Sequence, residues 1–136
     1  MAILFNHDSR YRKKKFLIPR LIKFIKKRDF KKINEIYQEN LSGDFSHAED
    51  ICYGIYKLLI SKKNPDKLIF ASNKVLYIND IIDYLLKINK IKKSFSLKNK
   101  KNSHTPIGNN IFTKKTLRWK IKKNTFLAAK ELNSYF

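Results

Sequence analysis

The sequence predicts a mixed α/β fold, one domain over residues 1–136 built of small sheets and about five helices. Three observations lead there. Ala2 to Phe5 and Lys67 to Ala71 are apolar runs of strand length; residues 16–28 and 47–61 repeat apolar side chains at helical spacing; and the two patterns alternate along the chain instead of segregating. A hydrophobic content of 43% in 136 residues is enough to close one modest core.

Taken in order, Ala2 to Phe5 reads as a buried strand and Asn6 to Lys15 as a polar, basic loop. Phe16 to Arg28 reads as a helix, because Leu17, Leu21, Phe24 and Ile25 share a face. Pro19 is tolerated in its first turn, where the missing N–H has no intrahelical acceptor. Ile33 to Gln38 sets Ile33, Glu35 and Tyr37 against Asn34, Ile36 and Gln38 and is assigned as a strand. Ser46 with Glu49 fits a capping box, and Ile51, Ile55, Leu58 and Leu59 follow at helical spacing, which predicts a helix from His47 to Ser61.

Asn64-Pro65-Asp66 is a turn, and Leu68, Ile69 and Phe70 form the centre of the strand Lys67 to Ala71. Asn79 or Asp80 caps a helix carrying Ile81, Ile82, Leu85, Leu86 and Ile88. Ile91 to Leu97 alternates Ile91, Lys93, Phe95 and Leu97 with polar partners and is assigned as a strand, and Lys98 to Ser103 is a polar linker. A helical stretch from Phe112 to Trp119 and a last helix from Thr125 to Tyr135 complete the order.

The formal charge is +20 with a sequence pI near 10.1. Such a charge suits a partner carrying phosphates, a nucleic acid or an anionic membrane surface. Its make-up points elsewhere: 26 of the basic residues are Lys and 5 are Arg, alongside 18 Ile and 13 Asn, as an AT-rich coding background produces. Selection for phosphate geometry favours Arg, whose planar fork makes paired contacts. Nucleic-acid binding is therefore expected to be non-specific and strongly salt-dependent. No apolar run reaches membrane-spanning or signal-peptide length, since Asn6, His7 and Asp8 interrupt the first one, so the expected address is the cytoplasm without membrane attachment.

Catalytic groups are sparse. Cys52 lies within an apolar-periodic run and is expected to be a buried core thiol. His7, His47 and His104 are far apart and Cys52 has no partner cysteine, so no metal site is expected. Tyr53 and Lys57 have Tyr-x-x-x-Lys spacing, but both fall within the amphipathic helix and the match is assigned to chance. With three glycines in all, the chain has no G-x-G-x-x-G turn for a dinucleotide.

Two polar strings are more specific: Phe5-Asn6-His7-Asp8-Ser9 with Arg12, Phe16 and Arg20, and Gly43-Asp44-Phe45-Ser46-His47-Ala48-Glu49-Asp50. The first resembles a stretch that GDP-mannose 4,6-dehydratases write as Phe-Asn-His-Glu-Ser, two arginines, then Phe-Val-Thr-Arg-Lys-Ile. It aligns from Phe5 to Leu21 without a gap. The second resembles the family's Arg-Asp-Trp-Gly-His-Ala-Lys-Asp. Ile107-Gly108-Asn109-Asn110, Lys114, Lys115 and Leu117-Arg118-Trp119-Lys120 resemble its closing Leu-Gly-Asp, helix and Leu-Gly-Trp-Lys-Pro.

The resemblance implies a single C-terminal substrate-binding lobe of an extended short-chain dehydrogenase/reductase, with the Rossmann half missing. It implies a GDP-mannose-like nucleotide sugar as ligand, with Asn6 on the sugar diphosphate and Arg20 near a phosphate. Arg12 falls on a family arginine linked to cofactor binding or subunit contact, while His47 and Asp50 match a structural turn. The parent reaction removes water from GDP-mannose, using NADP to move a hydride from C4 to C6. No catalytic residue is assigned here, since the family's Thr, Glu, Tyr and Lys set lies upstream of the aligned stretch. The chain alone is expected to bind no NADP, to be inactive, and to need a separate Rossmann-domain polypeptide, with an exposed apolar surface and homo-oligomer formation as further expectations. Departures from the pattern are Gly43, where the family has a pyrophosphate-binding arginine, and Thr105-Pro106, where a second arginine has no match. They keep open a related nucleotide-sugar epimerase or reductase, and a small basic nucleic-acid-binding protein.

Overall fold

A computed structural model describes residues 1–63, 65–96, 98 and 105–136. In chain order the elements are β1 (Ala2–Leu4), β2 (Asn6–Asp8), α1 (Leu17–Lys26), α2 (Phe30–Gln38), β3 (Ser42–Gly43), β4 (Phe45–His47) and α3 (Ala48–Leu59). There follow β5 (Leu68–Phe70), β6 (Leu76–Tyr77), α4 (Ile78–Ile88), α5 (Ile111–Leu117) and α6 (Thr125–Tyr135). The strands make three two-stranded sheets: β1 with β5 and β2 with β4, both parallel, and β3 with β6, antiparallel. The mixed α/β class holds, with six described helices where about five were expected.

The additional helix is α2, assigned from sequence as a strand. Arg28 takes a left-handed conformation (φ 54°) that ends α1, and the Asp29 carboxylate then accepts the Lys32 N–H at 3.3 Å to start the next helix. Ile33, Ile36 and Tyr37 are all buried. Their spacing of three and four is that of a helix face, and α1 supplies the surface that selects this period over the two-residue one. The strand assigned to Ile91–Leu97 is also corrected: residues 91–96 have no regular structure, and Leu97 lies outside the described residues. Lys90 leaves α4 through a left-handed conformation (φ 55°), after which Ile91 and Phe95 pack onto the helical core and Phe95 meets Tyr37 edge-on at 5.1 Å.

Within the stretch expected to be a loop, Asn6–Asp8 is instead a strand, because β4 offers a hydrogen-bonding edge that no local pattern announces. The turn at Asn64 and the linker at 98–103 fall wholly or partly outside the described residues.

Two packed clusters hold the chain. Leu21, Ile22 and Ile25 of α1, Ile33 and Ile36 of α2, Ile81, Ile82 and Leu85 of α4, and Ala129 and Leu132 of α6 form the larger one. The smaller joins Ile51 of α3 to Leu68 and Phe70 of β5 and to Leu117 and Trp119. Gly54 of α3 lies against it, since a Cβ there would stand 2.5 Å from Phe70 Cε1. Burying a large aliphatic or aromatic side chain contributes about 1.5–3 kcal/mol, so the inaccessible Ile and Leu residues of these clusters dominate stability. Among the described residues no helix is long and apolar enough to cross a membrane.

Candidate functional site

The first polar string runs out of the β1–β5 pair. Asn6 opens β2 opposite Phe45, its side chain is exposed, and it has no hydrogen-bond partner among the described residues. Asp8 ends β2 almost fully buried, with Arg12 Nε 3.2 Å from its Oδ1, an ion pair whose angles fall short of a hydrogen bond. Burial pushes the Asp8 carboxyl above its ordinary value of 3.8, against the opposing pull of the Arg12 and His7 charges. The Arg12 guanidinium also lies 3.6 Å over the Phe16 ring.

Phe16 in turn accepts the N–H of Arg20 at 3.0 Å as α1 begins. Arg20 projects from the exposed face of that helix and forms no ion pair among the described residues. Of the three basic or polar candidates, Arg12 is thus engaged within the chain, while Asn6 and Arg20 present free side chains from separate elements. No hydrogen bond joins those two among the described residues.

The second string supplies the frame. Asp44, inaccessible to solvent between β3 and β4, accepts the Ser72 N–H at 2.7 Å on one oxygen and those of Asn73 and Gly108 at 2.9 and 3.1 Å on the other. Gly43 lies beside it, and a Cβ there would stand 2.8 Å from the Phe45 ring. Asp50 accepts the Lys122 and Lys123 N–H groups at 2.8 and 2.7 Å, and its carbonyl accepts Trp119 Nε1–H at 2.7 Å. His47 Nδ1 accepts the Glu49 N–H at 3.2 Å, which places the ring proton on Nε2, facing Glu131 Oε2 at 3.1 Å. The cap of α3 is therefore His47, not Ser46, whose hydroxyl donates to the Asn6 carbonyl at 3.3 Å. Asn79 likewise turns inward to Asn40 at 3.1 Å, so α4 starts after Tyr77.

Asp44 is the residue that sequence reasoning missed. Its only signal was its place in the second string, because the N–H groups it collects are 28, 29 and 64 residues away.

Cys52, expected in the core, is exposed. It sits one residue after buried Ile51, about 100° around α3, and lines a cavity of about 530 Å³ with Ser9, Arg10, Tyr11, His47, Glu49 and Glu131. A second cavity, of about 560 Å³, lies between the β5–β6 loop and the α5–α6 loop. Lys57 Nζ donates to the carbonyls of Leu117 and Arg118 at 2.9 and 2.8 Å, so its position after Tyr53 serves the end of α5. Among the described residues no three His, Cys, Asp or Glu side chains group as metal ligands; His104 lies outside them.

None of the three glycines offers an open backbone approach to a pyrophosphate. A pyrophosphate approaches backbone only where a glycine leaves room. Here the space a Cβ would fill is taken by Phe45 at Gly43, by Phe70 and Trp119 at Gly54, and by Phe5 and Ala71 at Gly108.

The profile of the GDP-mannose 4,6 dehydratase family matches residues 1–130. Among individually curated proteins none matches the chain. Of solved structures, RMD from Pseudomonas aeruginosa complexed with NADPH is 18% identical with a TM-score of 0.74, over 98% of this chain and 46% of that one. The dTDP-glucose 4,6-dehydratase of Bacillus anthracis in complex with NAD is 14% identical with a TM-score of 0.76, over 98% and 43%. The UDP-glucuronic acid 4-epimerase of Bacillus cereus in complex with NAD gives 17% and 0.73, over 98% and 41%. At these identities the likeness establishes the fold, and the chain spans less than half the length of each of these structures.

Proposed function

Since the chain belongs to the GDP-mannose 4,6 dehydratase family, we propose that it forms the nucleotide-sugar-binding lobe of a GDP-mannose 4,6-dehydratase-like enzyme and is inactive alone. The observation that carries this reading is the family match across residues 1–130. In it, the Asn6 amide holds the sugar diphosphate and the Arg20 guanidinium meets a phosphate. Both side chains are free for that role, whereas Arg12 orders the connecting segment through Asp8 and Phe16.

The NADP-binding half and the acid and base groups lie outside residues 1–136 and must come within hydrogen-bond reach of the sugar. Two features support this division. Parallel sheets are normally buried within larger ones, yet among the described residues β1 pairs with β5 alone and its other edge has no strand partner. In addition, α3 and its C-cap expose Tyr53, Tyr56, Leu59 and Ile60, Leu59 at 78%, an apolar face of the kind a partner covers.

Calorimetric titration of the chain with GDP-mannose, UDP-glucose and dTDP-glucose tests the reading. GDP-mannose is expected to bind tightest, with Asn6→Ala and Arg20→Ala each weakening it about tenfold. The chain alone is expected to give no 4-keto product, and adding a cofactor-binding half restores turnover. Conversion of GDP-mannose by the chain alone refutes the division of labour, and equal affinity for all three sugars refutes the ligand. Tighter binding of a UDP- or dTDP-sugar supports the second reading, a related epimerase or reductase, which Gly43 in place of the family's arginine favours. Nucleic acid is expected to bind only non-specifically, with affinity that falls steeply as salt rises.

A further inference from the structure

The cavity of about 560 Å³ between the β5–β6 and α5–α6 loops is lined by Lys74, Lys114, Lys120, Lys122 and Lys123 and by no Asp or Glu. We propose that it is a binding site for a small molecule carrying two or more phosphates, separate from Asn6 and Arg20, neither of which lines it. The five lysines come from three segments: the loop before β6, helix α5, and the loop before α6. Only Lys123 forms an ion pair among the described residues, with Glu49. Lys122 Nζ lies 5.8 Å from the Tyr53 ring centroid on α3, while Lys74, Lys114 and Lys120 line the space with no ion pair among the described residues, like charges that favour an anion there.

An AT-rich coding background places lysines on outer faces, but it does not fix the backbone beneath them. Here the buried Asp50 carboxylate accepts the N–H groups of both Lys122 and Lys123, and the buried Asp44 carboxylate accepts those of Ser72 and Asn73, immediately before Lys74. Two of the three lysine-bearing segments are thus held in place before any ligand arrives, which lowers the ordering cost of binding. Helix α6 adds its N-terminus, with Asn124, Thr125 and Phe126 on the cavity wall and no acidic residue in its first turn. Phe45, Val75, Leu76, Ile121 and Phe126 provide an apolar wall for the carbon part of the ligand. The volume is that of an ordinary small-molecule site.

The test uses the full chain with inorganic pyrophosphate and orthophosphate as probes, by calorimetry at about 0.15 M salt, where loose surface attraction is screened. Pyrophosphate is expected to bind with one-to-one stoichiometry and about tenfold or more tighter than orthophosphate. Combining Lys74→Ala, Lys114→Ala and Lys120→Ala is expected to weaken it at least tenfold. Lys26→Ala, Lys31→Ala and Lys87→Ala together remove the same charge from exposed positions elsewhere and are expected to leave it within about twofold. Equal losses in the two triple variants, or several equivalents of pyrophosphate bound with no preference over orthophosphate, overturn the proposal. Circular dichroism on both triple variants confirms that lost binding is not lost folding.

Discussion

Replacing Asp44 by Asn keeps the side chain's size and removes its charge, which isolates what the buried carboxylate does. In the native chain one oxygen accepts Ser72 N–H at 2.7 Å and the other accepts Asn73 and Gly108 N–H at 2.9 and 3.1 Å. An amide has one oxygen. Turned to keep two of those bonds, it presents an NH2 group to the third donor and loses the charge assistance on the pair it keeps. A hydrogen bond to a charged group contributes about 1.5–3 kcal/mol and a neutral one about 1, so one bond lost and two weakened amount to roughly 2–4 kcal/mol. That is a large part of the 5–15 kcal/mol typical of a folded domain. Urea unfolding is the assay: with a slope of about 2 kcal/mol/M, the midpoint is expected to fall by about 1–2 M at unchanged slope. Hydrogen exchange at Ser72, Asn73 and Gly108 is expected to speed up together. A midpoint within about 0.3 M of the parent shows that these three bonds are not what closes the loops, and the reasoning fails.

Gly54→Ala forces a Cβ to within 2.5 Å of Phe70 Cε1 and 2.9 Å of Trp119 Nε1, so a loss of about 1–3 kcal/mol and a shifted Trp119 emission are expected; an unchanged unfolding midpoint contradicts the packing argument. For Asp8 the sign runs toward acid, because its folded carboxyl titrates above its ordinary value of 3.8. The stability it contributes is present at low pH and is lost as pH rises through that raised value, so the melting temperature of the parent minus that of Asp8→Asn is expected to fall from about pH 4 to pH 7. A difference that grows with pH means that the Arg12 pair outweighs burial. Tyr37→Phe removes the hydroxyl that Lys93 Nζ reaches at 2.9 Å while keeping the ring against Phe95; a loss of about 1 kcal/mol in urea unfolding is expected, and none at all assigns Lys93 to Asp83 alone.

Much of this protein is legible from the sequence because it depends on neighbours along the chain. The helical stripes of α1, α3, α4 and α6 and the apolar run of β5 show their burial by period, and α6 was placed over the same residues, Thr125 to Tyr135. The polar strings starting at Phe5 and at Gly43 named the family that the profile matches over residues 1–130. Where a segment could be read with either period, as residues 33–38 can, the α1 and α4 surfaces it packs against decided for helix. Tertiary packing also turned Cys52 outward while Ile51 went in, and made Asn6–Asp8 a strand by bringing β4 alongside. The frame of the candidate sites was beyond any local reading for the same reason. Asp44 and Asp50 act on N–H groups 28 to 73 residues away, and a carboxylate's worth in such a place depends on which donors the folded chain brings to it and how little water remains there.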